Sequence, residues 1–389
     1  MSTRFQTRTY TFDPRPAYPL LTVAKRYWRA PASTFNSDSY SPDSYSPDSE
    51  PLADPDPDPD ALTLIFAHGG SFHKEQWEPT IDDLWVLLEG GVNINEEGKE
   101  GNGHGKKKRP KVREVWTIDA ANHGAAAILN EGTLKLGYES IFGWEEYARS
   151  IHLLLSGLGT GLAGVDFSTH NLVGIGHSMG AVSLTLTLGY TPPRPFRSFI
   201  LVEPMIMAPA FGSGAVRMLV SGGEKRRDIW PSRAEAYALL RARGTWKAWD
   251  ERVLRLYMEH GLRDLPTLDY PDQTGVTLSC TKASEVACYR DPIGSLRLYS
   301  NLQSVISRVP THLIYGAIDD YLPEEVKRDV VENAAGGLQN LGSFARVESA
   351  GHLVPQLNPR GLASKIYDAL VIISNSNSNS GSRRQPSRL

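Results

Sequence analysis

The sequence predicts an α/β fold: a mostly parallel central sheet with helices on both faces, interrupted late in the chain by a helical insertion. Three observations carry it. Short apolar runs alternate with stretches of helical periodicity, the pattern of a parallel sheet crossed by helices. One strand-to-helix junction carries Gly176-His177-Ser178-Met179-Gly180. The alternation then stops between Phe211 and Leu298, where helical spacing takes over before strands resume.

The elements follow in order. Phe5 to Phe12 and Leu21 to Arg29 read as strands because they are rich in Thr, Tyr, Phe and Val and are split by a turn with Pro14, Pro16 and Pro19. Residues 32–60 hold the tandem repeat Ser39 to Asp43 and Ser44 to Asp48, then a Pro-Asp alternation. With almost nothing apolar to bury, this segment cannot offset its ordering entropy, and a disordered insertion is expected. Leu62 to Ala67 is a continuous apolar strand running into His68-Gly69-Gly70. Residues 89–111, Gly-rich and then basic through Lys106, Lys107, Lys108 and Arg109, read as a second insertion whose charge run is solvated. Val112 to Ile118 is the next strand. Trp144 to Leu158 is a helix, since Trp144, Ala148, Ile151, Leu155 and Leu158 share one face. Asn171 to Ile175 (strand), Met179 to Leu188 (helix), Ser198 to Val202, Thr311 to Tyr315 and Phe344 to Val347 (strands) and Arg360 to Ile373 (helix) complete the alternation.

This gives a first core part over 1–210, a helical lid over 211–298, a second core part over 299–374 and a low-complexity tail over 375–389. Within the lid, Trp246, Trp249, Val253, Leu256 and Tyr257 are expected to form its own core first and a substrate pocket second.

Composition excludes several function classes. Across 389 residues, 41 Lys plus Arg against 44 Asp plus Glu leave a net charge of −3, which argues against a globally basic nucleic-acid binder. Two cysteines allow neither a disulfide framework nor a Cys-based zinc site. No uncharged apolar run reaches transmembrane length, and Met1 to Arg8 has no signal-peptide core, so an intracellular globular protein is expected. There is no H-E-x-x-H, no phosphate-binding G-x-x-x-x-G-K-[ST] and no G-x-G-x-x-G after a strand, so neither a metal nor a nucleotide cofactor is expected.

A bare G-x-S-x-G match is weak, but the apolar strand before it and the apolar run after it form the setting of a nucleophile elbow. There the Ser sits on a tight turn, and glycines two residues to either side remove side chains that would collide. Ser178 is therefore the candidate nucleophile. A serine hydroxyl needs a base, and the base needs an orienting carboxylate. His352, in Ser349-Ala350-Gly351-His352-Leu353-Val354-Pro355 after the last strand, is the candidate base; His312 opens an apolar strand and reads as structural. For the acid, Asp319 is favoured because it follows the strand Thr311 to Tyr315 in a loop. Glu203, directly after Ser198 to Val202, and Asp320 remain alternatives. The amides of Met179 and Gly70 are the candidate oxyanion donors. His68 and His123 read as structural supports of that loop.

These motifs resemble the α/β-hydrolase superfamily: the Gly-His-Ser-Met-Gly elbow, the His68-Gly69-Gly70 loop, Gly316-Ala317-Ile318-Asp319 ahead of Leu322-Pro323, and Gly351-His352-Leu353-Val354-Pro355. Ile118-Asp119-Ala120-Ala121-Asn122-His123-Gly124, Leu201-Val202-Glu203-Pro204, and Trp249 to Leu254 with Gly261 to Pro266 are similar to the fungal peroxisomal lipase family, which includes hydrolases of host-selective toxin biosynthesis. The resemblance implies a lipase- or esterase-like serine hydrolase acting on a small-molecule acyl ester. A thioesterase or lactonase of secondary metabolism, or a non-catalytic binder on the same scaffold, are the alternatives. Ser387-Arg388-Leu389 resembles the S-K-L peroxisomal address, which implies an import receptor as partner and the peroxisomal matrix as location.

Overall fold

A computed structural model describes residues 5–29, 58–90, 109–162 and 164–376. Most of the two expected insertions and nearly all of the tail, Ser387, Arg388 and Leu389 included, lie outside the described residues. Eight strands form the main sheet: β1 (Gln6–Phe12), β2 (Thr22–Trp28), β3 (Leu62–Ala67), β4 (Val112–Ile118), β5 (Asn171–His177), β6 (Phe196–Val202), β10 (Thr311–Gly316) and β11 (Ser343–Val347). Their order is β1-β2-β4-β3-β5-β6-β10-β11. β1 with β2 and β2 with β4 are antiparallel, and every later pairing is parallel.

The central strands carry apolar runs on both faces, as over 64–67, 172–175 and 199–202, because both faces of the sheet are covered. Leu64, Phe66, Val173, Ile175, Ile200, Val202 and Ile314 bury into one cluster with Ile81 and Leu84 of α1 (Glu78–Leu88) and Leu362, Ile366 and Leu370 of α13 (Pro359–Asn375). Their sequence neighbours Ile65, Ala67, Phe199, Leu201, Leu313 and Tyr315 bury into the opposite cluster. There they meet α3 (Trp144–Leu155), α4 (Met179–Leu186) and α10 (Gly294–Arg308). The two-residue alternation of side chains along a strand accounts for that split. Helix α2 (Gly124–Lys135) follows β4, while α11 (Glu324–Asp329) and α12 (Val354–Leu357) follow β10 and β11.

Between β6 and β10 run α5 (Pro209–Lys225), β7 (Ile229–Trp230), α6 (Arg233–Arg241), α7 (Gly244–Lys247), α8 (Glu251–His260), β8 (Leu262–Asp264), β9 (Val276–Leu278), α9 (Lys282–Tyr289) and α10. Position 298 falls inside α10. The segment has a core of its own, with Trp230, Leu240, Trp249, Val253, Leu254, Tyr257 and Leu278 packed together. Three of its helices, α6, α8 and α9, start at polar caps: Ser232 accepts from Glu235 N–H, Asp250 from Arg252 N–H and Thr281 from Ser284 N–H. Each cap is worth about 1 kcal/mol. The sequence reads the segment as largely helical, and β7, β9 and β8 add a small antiparallel sheet that it does not predict. Strands of two or three residues are too short to show an alternation.

Candidate active site

Ser178 stands where β5 ends and α4 begins, with φ 54° and ψ −119°. A non-glycine residue there carries backbone strain of about 1–3 kcal/mol, which the surroundings must impose. They do so by close approach. A Cβ on Gly176 would lie 2.5 Å from the Ala181 Cα, and one on Gly180 would lie 2.4 Å from the His68 carbonyl oxygen. The Ser178 N–H donates to the Val202 carbonyl at 3.0 Å, tying the elbow to β6. The turn raises the hydroxyl above the sheet at the N-terminus of α4.

His352 lies in the loop after β11 and is held at both backbone groups. Its N–H donates to Asp320 Oδ1 at 2.8 Å, and its carbonyl accepts from His177 Nε2 at 2.8 Å. That orientation brings Nε2 to 3.1 Å from Ser178 Oγ and Nδ1 to 3.2 Å from Glu203 Oε2. Glu203 sits one residue past β6, fully buried, at φ 44°. Its N–H donates to the Ile314 carbonyl at 2.8 Å, and its Oε1 accepts the Gly316 N–H at 2.6 Å. The carboxylate is thereby aimed with its second oxygen at the imidazole.

The favoured acid, Asp319, is elsewhere, and this corrects the expectation. Its Oδ1 accepts from Lys327 Nζ at 3.0 Å, and its side chain is 42% exposed. Lys327 is buried and spends its other N–H groups on the Gly316 and Ile318 carbonyls, at 3.1 and 3.2 Å. An ammonium taken out of water requires a full set of acceptors, and Asp319 completes the set. The same Nζ lies 3.7 Å from Glu203 Oε1. Asp320 is not at the ring either: it anchors the His352 backbone and also accepts from Tyr321 N–H at 2.6 Å. Nothing local in the sequence marks Lys327, since five of the six residues in Glu324-Glu325-Val326-Lys327-Arg328-Asp329 are charged.

The His68-Gly69-Gly70-Ser71 loop passes beside the nucleophile. A Cβ on Gly69 would lie 3.2 Å from the Ser178 Cβ, whereas the nearest atom to one on Gly70 would be Tyr289 Cε1 at 3.5 Å. The flanking amides are engaged. His68 N–H donates to Tyr147 Oη at 3.1 Å, and Ser71 N–H to His123 Nε2 at 2.9 Å. His68 Nε2 accepts from Ala120 N–H at 3.0 Å, so its Nδ1–H donates to the Gly69 carbonyl at 2.8 Å. His123 likewise donates from Nδ1 to Asn122 Oδ1 at 2.7 Å. Burial pushes His68 down to about 4 and holds His123 well below the usual histidine range. Both rings are therefore neutral acceptors that pin the loop. Met179, the first residue of α4, contributes an amide without an intrahelical acceptor.

A cavity of about 500 Å³ opens between α5, α9 and the loop holding Asp320 and Tyr321. The Tyr321 ring is tilted against that of His352, with centroids 5.6 Å apart, and Tyr289 lies against Gly70, so the cavity adjoins both base and loop. Cys280 and Cys288 are buried and unpaired, and burial raises both thiols, Cys288 to about 12. They are poor thiolates and lie outside the reacting set. Among the described residues, no group of three or more His, Cys, Asp or Glu is arranged to hold a metal ion, and no helix is long and apolar enough to cross a membrane.

Comparison with known proteins identifies the family and the fold. The profile described as "Alpha/beta hydrolase family" matches residues 64–365. The chain is 32% identical over 245 residues to type I acyl-CoA thioesterase mpaH of Penicillium brevicompactum, covering 62% of this chain and 49% of that protein. It is 29% identical over 154 residues to peroxisomal membrane protein LPX1 of Saccharomyces cerevisiae, covering 39% of this chain and 33% of that one. The chain thus spans about half the length, or less, of these curated relatives. Among solved structures, the peroxisomal alpha-beta-hydrolase Lpx1 of Saccharomyces cerevisiae superposes with a TM-score of 0.64 at 19% identity, covering 100% of this chain and 94% of that one. The thioesterase domain from the curacin biosynthetic pathway gives 0.57 at 15% identity, covering 94% and 99%. Both structural likenesses speak to the fold alone.

Proposed function

Since the chain belongs to the alpha/beta hydrolase family, we propose that it is a serine hydrolase working through Ser178, His352 and Glu203 by way of an acyl-enzyme. The observation that carries the reading is the unbroken hydrogen-bonded line from Ser178 Oγ through both nitrogens of His352 to Glu203. Ser178 Oγ attacks the acyl carbon while His352 Nε2 takes its proton. Glu203 keeps the Nδ1 proton in place and stabilises the imidazolium. The amides of Met179 and of the Gly69–Gly70 stretch face the developing oxyanion, Gly70 being the loop donor expected from sequence. His352 then protonates the leaving group, and water activated by the same ring releases the acid.

The chemistry is the same for an oxoester, a thioester or a lactone. The sequence resemblance pointed to carboxylic esters, while the names of the relatives from Penicillium favour an acyl thioester, and a thioester is the substrate class we assign. Segment 211–298 acts in this reading as the lid that closes the acyl site. A peroxisomal location belongs to the same proposal and is supported by the name of the yeast relative.

Intact mass after exposure to a fluorophosphonate tests the mechanism. One adduct on the wild type and none on Ser178→Ala is the expected result. A folded wild type that takes no adduct would sink the hydrolase reading. A panel of thioesters and matched oxoesters then ranks the leaving groups.

A further inference from the structure

We propose that the cavity beside His352 selects acyl groups that carry an oxygen acceptor in the acyl portion, and that Arg226 and Glu285 are the residues that select them. The inference rests on the serine-hydrolase reading and narrows its substrate class. A cavity for a plain alkyl chain would be walled by apolar side chains. This one has an apolar side, Met218, Leu219 and the paired Gly222 and Gly223 of α5, and a polar side. The polar side is a connected network. Arg226 Nη1 donates to both oxygens of Glu285, at 2.9 and 2.7 Å, and Nη2 donates to Tyr257 Oη at 3.2 Å. Glu285 Oε1 also accepts from Tyr289 Oη at 3.0 Å and from the hydroxyl of Ser71, next to Gly70. Ser71 Oγ and Tyr289 Oη lie 2.8 Å apart.

Three donors converge on Glu285 Oε1, so the carboxylate has little left to offer a ligand. Arg226 is different. A guanidinium has five N–H groups, and among the described residues its partners are only Glu285 and Tyr257. The remaining donors sit on a residue that lines the cavity. Because Glu285 neutralises the guanidinium, the group it suits is a neutral acceptor, such as a hydroxyl, ether or ketone oxygen, rather than a second carboxylate. A plain alkyl chain laid along this wall would strip water from those donors and return nothing. A site that hydrogen-bonds a substrate oxygen rejects the analogue lacking it far more strongly than a pocket distinguishes one methylene.

The test compares matched acyl thioesters of equal length, one alkyl and the other bearing a hydroxyl or keto oxygen along the chain. The wild type is expected to favour the oxygenated acyl group by at least about tenfold in kcat/KM. The double variant Arg226→Met with Glu285→Met removes both charges together, which avoids stranding one of them in the fold. It is expected to lose that preference, while a residual preference within about twofold of the wild type's overturns the proposal. Should the double variant fail to melt cooperatively, Arg226→Gln, which keeps donors but loses the fork, is expected to reduce the preference part-way. A wild type that turns over both acyl groups equally overturns the proposal on its own. Turnover of neither, with no fluorophosphonate adduct, would instead sink the hydrolase reading beneath it.

Discussion

Replacing Glu203 by Gln, beside Asp319 by Asn, separates the two carboxylates that follow adjacent strands. Glu203 Oε1 accepts the Gly316 N–H at 2.6 Å, a buried amide that needs an acceptor. In the Gln variant the side-chain oxygen stays there, so the NH₂ group faces His352 Nδ1. That nitrogen must then become an acceptor, and the ring proton moves to Nε2, against Ser178 Oγ. The base is lost although every heavy atom keeps its place. An acid-to-amide change of this kind in a Ser-His-acid triad costs about ten-thousand-fold in turnover. At 1.36 kcal/mol per decade that is ~5 kcal/mol of transition-state stabilisation. Asp319→Asn removes a partner of Lys327 whose side chain is 42% exposed, leaving the two carbonyl acceptors in place. Its turnover should fall by less than about threefold, and its stability by no more than about 1 kcal/mol. The assay is kcat on a chromogenic acyl ester or thioester, with melting temperature as the control for folding. If Asp319→Asn falls as far as Glu203→Gln, or if Glu203→Gln stays within tenfold of wild type, the assignment of the acid is wrong.

Four further expectations can be checked with standard measurements. Lys327→Met should lower stability by about 3 kcal/mol in urea unfolding, because it strands the buried Gly316 carbonyl, takes a donor from the part-buried Ile318 carbonyl and removes the cation beside Glu203; a loss below 1 kcal/mol would count against that account. Gly180→Ala should cost about 1–3 kcal/mol and abolish fluorophosphonate labelling, since the new methyl meets the Ala67 and His68 carbonyls, which are backbone and cannot swing away. Stability should fall as pH drops from about 6.5 towards 4: His68 and His312, each held down to about 4 by burial, stay neutral in the fold while the unfolded chain binds their protons, costing about 1.4 kcal/mol per pH unit for each. A urea midpoint that does not shift downward between pH 7 and pH 5 would contradict this. Finally, the chain carrying an N-terminal fluorescent protein should co-localise with a peroxisomal marker and lose that pattern when Ser387, Arg388 and Leu389 are removed; an unchanged distribution would refute the address.

Much of this architecture could be read from the chain because its signals were local. Leu62 to Ala67 is apolar but for Thr63, and Val112 to Ile118 is rich in Val, Ile and Trp, so their strands fall where expected. Ser178 was marked by its own neighbours, Gly176 and Gly180, and His352 by its position after the last strand. The proposed acid was not marked locally. Glu203 and Asp319 each follow a strand, and those strands are hydrogen-bonded neighbours, so both carboxylates reach the same end of the sheet. What separates them is a lysine on a later helix that folds back over the loop, and no pattern within a window of residues contains that contact. The small sheet of β7, β9 and β8 was hidden for a related reason, since its three short strands gain meaning only when paired.

Phe72 ties the loop that holds Gly69 and Gly70 to the insertion. Its ring comes from the loop that holds Gly69 and Gly70, yet it packs within the insertion's core, 5.7 Å from the Trp249 ring and 6.4 Å from that of Tyr257. Swinging the insertion outward would drag this aromatic plug with it, or expose it to water at a cost of about 2 kcal/mol. The backbone two residues away would feel the pull. In the proposed reading, one ring therefore ties the position of the insertion to that of the loop carrying the oxyanion donor.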